Sequence, residues 1–105
     1  MDAFRYDSPL HNTTRFMIVA HLARCGGCAS YTDTLVVVKV HSGALSQHIR
    51  KLEAAGHLKI RKSFRDRRPH TELSLTDLGR AALSDHMVAL AAVAGPSAMM
   101  EAASP

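Results

Sequence analysis

Two groups of side chains in this sequence have the types and spacing to act on a partner. Gln47 and Arg50 stand three residues apart, with Ser42, Ala44, Ser46 and Lys51 around them. Further along, Lys62, Arg65, Arg67, Arg68 and His70 crowd one short stretch. A glutamine amide offers donor and acceptor together, which suits adenine, and a guanidinium offers paired donors, which suit guanine. Serine hydroxyls and lysine are better matched to phosphate, where they fix register without reading bases. Clustered arginines can neutralise backbone charge or enter a narrow minor groove. Each group also has a plainer reading, as a solvated helix face or a solubilising loop. Their adjacency favours one shared partner, and double-stranded DNA is the polyanion that this chemistry fits.

Other chemistry finds less support. Cys25 and Cys28 form a Cys-x-x-Cys pair with His21 one turn earlier, the spacing of a redox or metal site. Zinc prefers four ligands, and no second such pair follows. Cys25 would also sit near a helix C-terminus, where the dipole disfavours a thiolate. Structural or incidental cysteines are the simpler reading, with thiol sensing or metal binding as the alternative. The remaining histidines, His11, His41, His48, His57, His70 and His86, are scattered. His48 is expected to pack at a helix edge. No Ser-His-Asp set, glycine-rich phosphate loop or acid pair occurs, so neither an enzyme nor a cofactor is expected.

These side chains must be positioned by one small domain. A chain of 105 residues, 47% hydrophobic and 21% charged, has globular composition and enough surface to bury a core without metals or disulfides. The formal charge of +4 matters less than its concentration between Lys59 and Arg68, the footprint of a phosphate-binding face. No uninterrupted apolar run approaches the length needed to span a bilayer, and Leu35 to Val38 is only four residues. The opening MDAFRYDSPLHN lacks the cationic start and apolar run of a signal peptide. A cytoplasmic protein without a membrane partner is expected.

The periodicity predicts mostly helix. Ser8-Pro9 starts a first helix with an apolar repeat at Leu10, Thr14, Met17, Ile18, Leu22 and Cys25, stopped by Gly26-Gly27. Ser30 caps a second, with Tyr31, Leu35 and Val38 on one face; its valines argue for strand and its flanks for helix. Ser42 starts a third, about 42–55, which turns Leu45, Ile49 and Leu52 inward and Gly43, Gln47, Arg50 and Ala54 outward. A hairpin over about 57–75 follows, its strands His57–Phe64 and His70–Leu75 joined by the tip Arg65-Asp66-Arg67-Arg68-Pro69. Thr76 caps a last helix with the stripe Leu83, Met87, Leu90 and Ala94, ended by Gly95-Pro96. The expected class is mainly α with a small antiparallel β-hairpin wing. Residues 1–94 form the domain, including a terminal dimerisation helix, and 95–105 a flexible tail.

This order, and the segments LHNTTRFMIVAHLA, GALSQHIRKLEAAGHLKIRKSF and RRPHTELSLTDLGRAAL, resemble the small MarR-type winged helix-turn-helix transcriptional regulators over roughly residues 9–90. The resemblance implies a homodimer on operator DNA, with the third helix in the major groove and the wing near the minor groove. Two positions depart from the family pattern. Lys39 stands where a small turn residue, often glycine, precedes the recognition helix, and Ala44 stands where a polar residue is common. The first bears on the angle between the two helices, and the second removes a possible base contact. The alternative is a winged-helix protein-interaction module with Val36 and Val37 as its surface. The sequence names no small-molecule effector.

Overall fold

Each helix starts where a side-chain acceptor meets an otherwise unsatisfied amide. Asn12 Oδ1 accepts from the Arg15 amide at 3.1 Å, Ser30 Oγ from Asp33 at 3.0 Å and Thr76 Oγ from Gly79 at 2.9 Å. His41 does the same with Nδ1, accepting from the Ala44 amide at 3.2 Å. In the computed structural model, which describes residues 8–95, a 3-10 turn (Pro9–His11) precedes α1 (Thr13–Arg24). There follow β1 (Cys28–Ser30), α2 (Tyr31–Val38), α3 (Ser42–Ala54), β2 (Leu58–Arg65), β3 (Arg68–Leu75) and α4 (Asp77–Ala94). The expected tail lies, apart from Gly95, outside the described residues.

The expected helices are present, with corrections at their edges. Ser8 caps the 3-10 turn, not the first helix, which begins at Thr13 after its own cap, Asn12. The inward face is narrower than the expected repeat. Ile18, Val19 and Leu22 are buried, whereas Met17 is 39% exposed and Cys25 is an exposed C-cap. α2 is helical despite its valines. Its N-terminus is tied twice, by the Ser30 cap and by the Thr34 hydroxyl donating to the Ser30 carbonyl at 2.8 Å, and Thr34 and Val38 are buried beneath it. α2 ends on Lys39, whose backbone (φ 55, ψ 44) is left-handed, the conformation in which glycine is strain-free.

One strand was not expected. β1 is three residues long and pairs antiparallel with β3, giving a three-stranded sheet in the order β1-β3-β2. Three residues are too few for an alternation signal. The hairpin register runs from Leu58–Leu75 to Arg65–Arg68, so Arg68 and Pro69 belong to β3 and the tip is only Asp66-Arg67. Both tip residues have positive φ, 51 and 67, the geometry of a type I′ turn, whose twist matches the strands it joins.

The core collects Leu10, the buried residues of α1, Val38, then Leu45, Ile49 and Leu52 of α3, with Leu58 and Leu73 of the sheet. Each such side chain contributes about 1.5–3 kcal/mol on burial. α4 closes the domain through Ala82, Leu83 and the buried Ala89, with the His86 ring 5.1 Å from that of Phe16 and 5.8 Å from that of His11. Of the expected stripe, Leu83 and Leu90 are half-buried, while Met87, 38% exposed, and Ala94 face solvent.

Candidate nucleic-acid interface

α3 divides as its periodicity demands. Leu45, Ile49 and Leu52 face the core, and Ser42, Gly43, Gln47, Arg50, Lys51 and Ala54 are exposed. Ala44 is half-buried beside the helix cap. Ser46 is also half-buried, and its hydroxyl lies 3.0 Å from the Tyr31 hydroxyl, which donates to the Ser42 carbonyl at 2.8 Å. Tyr31 therefore joins the first turn of α2 to the first turn of α3. The Ser46 hydroxyl donates to Tyr31 rather than pointing outward. Sequence reasoning placed Tyr31 on the packed face, but its hydroxyl partner is eleven residues away and only the fold brings them together.

A second brace holds the other side of α3. Arg15 bonds the Pro9 carbonyl through Nε at 2.8 Å and reaches His48 Nδ1 with a terminal nitrogen at 3.1 Å. Since a guanidinium only donates, Nδ1 of His48 accepts, and the imidazole is neutral. Burial, then Arg15, then Lys51 hold its pKa below the ordinary 6.5. His48 is the helix-edge packing residue that its position suggested.

The wing is half-buried only at its base. Leu58 is buried and Ile60 partly so, while every residue from Arg61 to Pro69 is exposed. Cross-strand pairing sorts the side chains, since alternate pairs share a face. Leu58–Leu75, Ile60–Leu73, Lys62–Thr71 and Phe64–Pro69 lie on the face that carries the core; Arg61–Glu72, Ser63–His70 and Arg65–Arg68 lie on the other. Arg67 occupies the turn. His70 is half-buried and the three arginines are free of cover. Arg61 is an exposed cation that the sequence reading left out, although its alternation with Ile60 was visible.

The two groups converge. A cleft of about 250 Å³ is lined by Tyr31, Ser46, Ile49 and Arg50 on the helical side and by Ile60, Lys62, Thr71 and Leu73 on the sheet. Arg50 and Lys62 thus line one opening from its helical and its sheet side, which brings a cation of α3 next to one of the wing.

Cys25 and Cys28 are free and exposed at the far end of α1, with Cys25 Sγ 3.6 Å from His21 Nδ1. Among the described residues no group of three His, Cys, Asp or Glu is arranged to hold a metal ion, and none of their helices is long and apolar enough to cross a membrane. Val36 and Val37 are 73% and 45% exposed on α2.

The winged helix DNA-binding domain model matches residues 14–94. A transcriptional regulator homologue protein from Pyrococcus horikoshii is 31% identical, with a TM-score of 0.77 over 84% of this chain and 86% of that one. BpsR of Bordetella bronchiseptica, whose DNA binding is regulated by 6-hydroxynicotinic acid, is 26% identical at a TM-score of 0.69, over 90% of this chain and 68% of that one. A mutant MarR from E. coli, solved with operator DNA, shares the fold at 21% identity and a TM-score of 0.65, over 86% of this chain and 60% of that one. No curated protein matches the chain.

Proposed function

The chain belongs to the winged helix DNA-binding domain family, with the fold of the MarR-type regulators, and from that membership we propose that it is a homodimeric transcriptional regulator. α3 enters the major groove of a pseudo-palindromic operator, where Gln47 and Arg50 read bases and Ser42 and Lys51 hold phosphates. The wing lies at the adjacent minor groove, with Arg65, Arg67 and Arg68 at its end, and Lys62 and His70 nearer its base. The observation that carries the reading is the shared cleft, which sets Arg50 of the helix against Lys62 of the wing. Ala44 and Ser46, half-buried, frame this surface rather than contact it. Met87 of the stripe expected to meet a partner, with its exposed apolar neighbours Val88 and Val93 on α4, supplies a surface for the second copy. Such a protein works in the cytoplasm, on DNA, and carries out no reaction of its own.

Fluorescence anisotropy tests this, with the duplex upstream of the protein's own gene against a scrambled one of equal length. Specific binding exceeds nonspecific by about a thousandfold or more at physiological salt, and Arg50→Ala is expected to abolish that preference. Equal, weak binding of both duplexes by the native chain would instead favour a protein-interaction module working through Val36 and Val37.

A second reading concerns regulation, and the cleft favours it. Its floor of Ile49, Ile60 and Leu73 is apolar, and its rim carries Arg50, Lys62 and Thr71, with the mutually bonded hydroxyls of Tyr31 and Ser46 beside them. That combination suits a small aromatic carboxylate, the chemical class of the acid that regulates BpsR. An occupant would engage Arg50 and withdraw it from DNA. Release of bound duplex by 6-hydroxynicotinic acid, absent in Lys62→Ala, supports this; DNA binding indifferent to such acids removes it.

A further inference from the structure

The wing carries one residue that phosphate binding does not explain. Phe64 is 75% exposed, two residues from the hairpin turn, on the face it shares with Lys62 and in a stretch that also holds Arg65, Arg67 and Arg68. An aromatic ring bare to water is unfavourable, and its neighbours in the hairpin make its placement specific. Arg65 and Arg68 close a two-residue turn and form the hydrogen-bonded pair. The next pair, Phe64–Pro69, is then of the non-bonded kind, whose Cα atoms approach to about 4.5 Å with their side chains close. In such a pair the backbone nitrogen points away from the partner strand, so proline at 69 forfeits no bond to β2. β1 covers β3 only from Glu72 to Ser74, so Pro69 lies beyond its reach as well. The result is an apolar pair beside the turn, a phenyl ring opposite a pyrrolidine, on the sheet face that also bears Lys62.

We propose that Phe64, backed by Pro69, is an apolar wedge that enters the minor groove beside the wing and makes binding favour an easily unstacked pyrimidine–purine step there. The inference rests on the DNA-binding reading above. Charge decides what covers the ring. With Lys62 on its own face, Arg67 in the turn and Arg65 and Arg68 on the face behind, the end of the wing repels a second basic copy and any basic protein surface, whereas a polyanion is drawn in. The minor groove then offers what the ring lacks, apolar sugar walls and base faces, and side chains of this kind kink duplexes at weakly stacked steps. The arginines supply affinity without sequence, and Phe64 supplies a preference at positions that no side chain reads directly.

The test uses a duplex selected from a random library by the native chain, with its flanks varied one step at a time among TA, AA and GC. The native protein is expected to bind the best TA-flanked duplex about tenfold more tightly than its AA counterpart, in keeping with the usual worth of base–aromatic contacts. Phe64→Ala should reduce that ratio to about twofold or less and leave the salt dependence unchanged, since no phosphate contact is lost. Phe64→Leu should keep part of the ratio. Arg67→Ala should do the reverse of Phe64→Ala, keeping the step preference and lowering the salt slope by close to one. With 2-aminopurine at the varied step, fluorescence should rise on binding of the native chain and not of Phe64→Ala. An unchanged step preference and an unchanged 2-aminopurine response in Phe64→Ala would overturn the wedge. A native chain that selects no sequence at all would overturn instead the DNA-reading function beneath it.

Discussion

Replacing Gly79 by alanine isolates the contact that anchors α4 to the base of the wing. In isolation the substitution should help, since alanine in a helix is favoured over glycine by about 1 kcal/mol. Here a methyl group would overlap the His57 carbonyl oxygen and come within 2.9 Å of its carbon and 2.8 Å of Leu75 Cδ1. The obstacle is backbone, which cannot swing aside. α4 would have to move away, and two bonds made by its cap residue are at risk: Thr76 N to the His57 carbonyl at 3.1 Å and Thr76 Oγ to the Gly56 carbonyl at 2.5 Å. Overpacking costs about 1–3 kcal/mol and each lost bond about 1. Against the propensity gain, a net destabilisation of roughly 2–4 kcal/mol is expected, or a melting temperature lower by roughly 10–30 °C in a domain of this size. Urea unfolding followed by far-UV circular dichroism measures it. Gly26→Ala is the control, because that glycine has a positive φ and nothing within 4 Å, so only about 1 kcal/mol of backbone strain applies. Gly79→Ala as stable as the native chain, or no worse than Gly26→Ala, would refute the close approach of α4 to the His57 carbonyl.

Three further outcomes are expected. Arg67→Gly relieves the left-handed strain of the wing turn while removing a cation, so stability should rise by roughly 0.5–1 kcal/mol as the salt slope of DNA binding falls; both moving the same way would count against the turn assignment. Tyr31→Phe removes the donor to the Ser42 carbonyl and the acceptor for Ser46, and should cost about 1 kcal/mol in urea unfolding, with no loss meaning that the α2–α3 brace is idle. Burial first of all holds the pKa of His48, His57 and His86 below 6.5 in the folded chain, with Arg15 and Lys51 adding to it at His48 and His11 at His86. Below pH 6.5 the unfolded chain therefore binds more protons, so stability present above that value is lost as pH falls toward the folded values. A urea midpoint that stays level between about pH 7.5 and 5.5 would contradict this.

The legible features were those that neighbours in the chain settle. Leu45, Ile49 and Leu52 declared the buried face of α3, and Ser30 and Thr76 declared caps. Errors arose where a local signal had a local competitor. Ser8-Pro9 is a sound helix start, yet Asn12 offers a second, and the chain breaks between them. His41 is a weak capping type, so nothing marked it ahead of Ser42.

By itself, then, the sequence determined that a cationic hairpin follows an amphipathic helix with Gln47 and Arg50 outward, because periodicity, turns and charge are short-range properties. Only the tertiary structure decided that Arg50 and Lys62 share a cleft, that Ser46 is bonded to Tyr31, that β1 joins the sheet, and that Gly79 must be glycine. Those are contacts between residues far apart in the chain, and their geometry depends on how α1, α3, α4 and the sheet settle around one core.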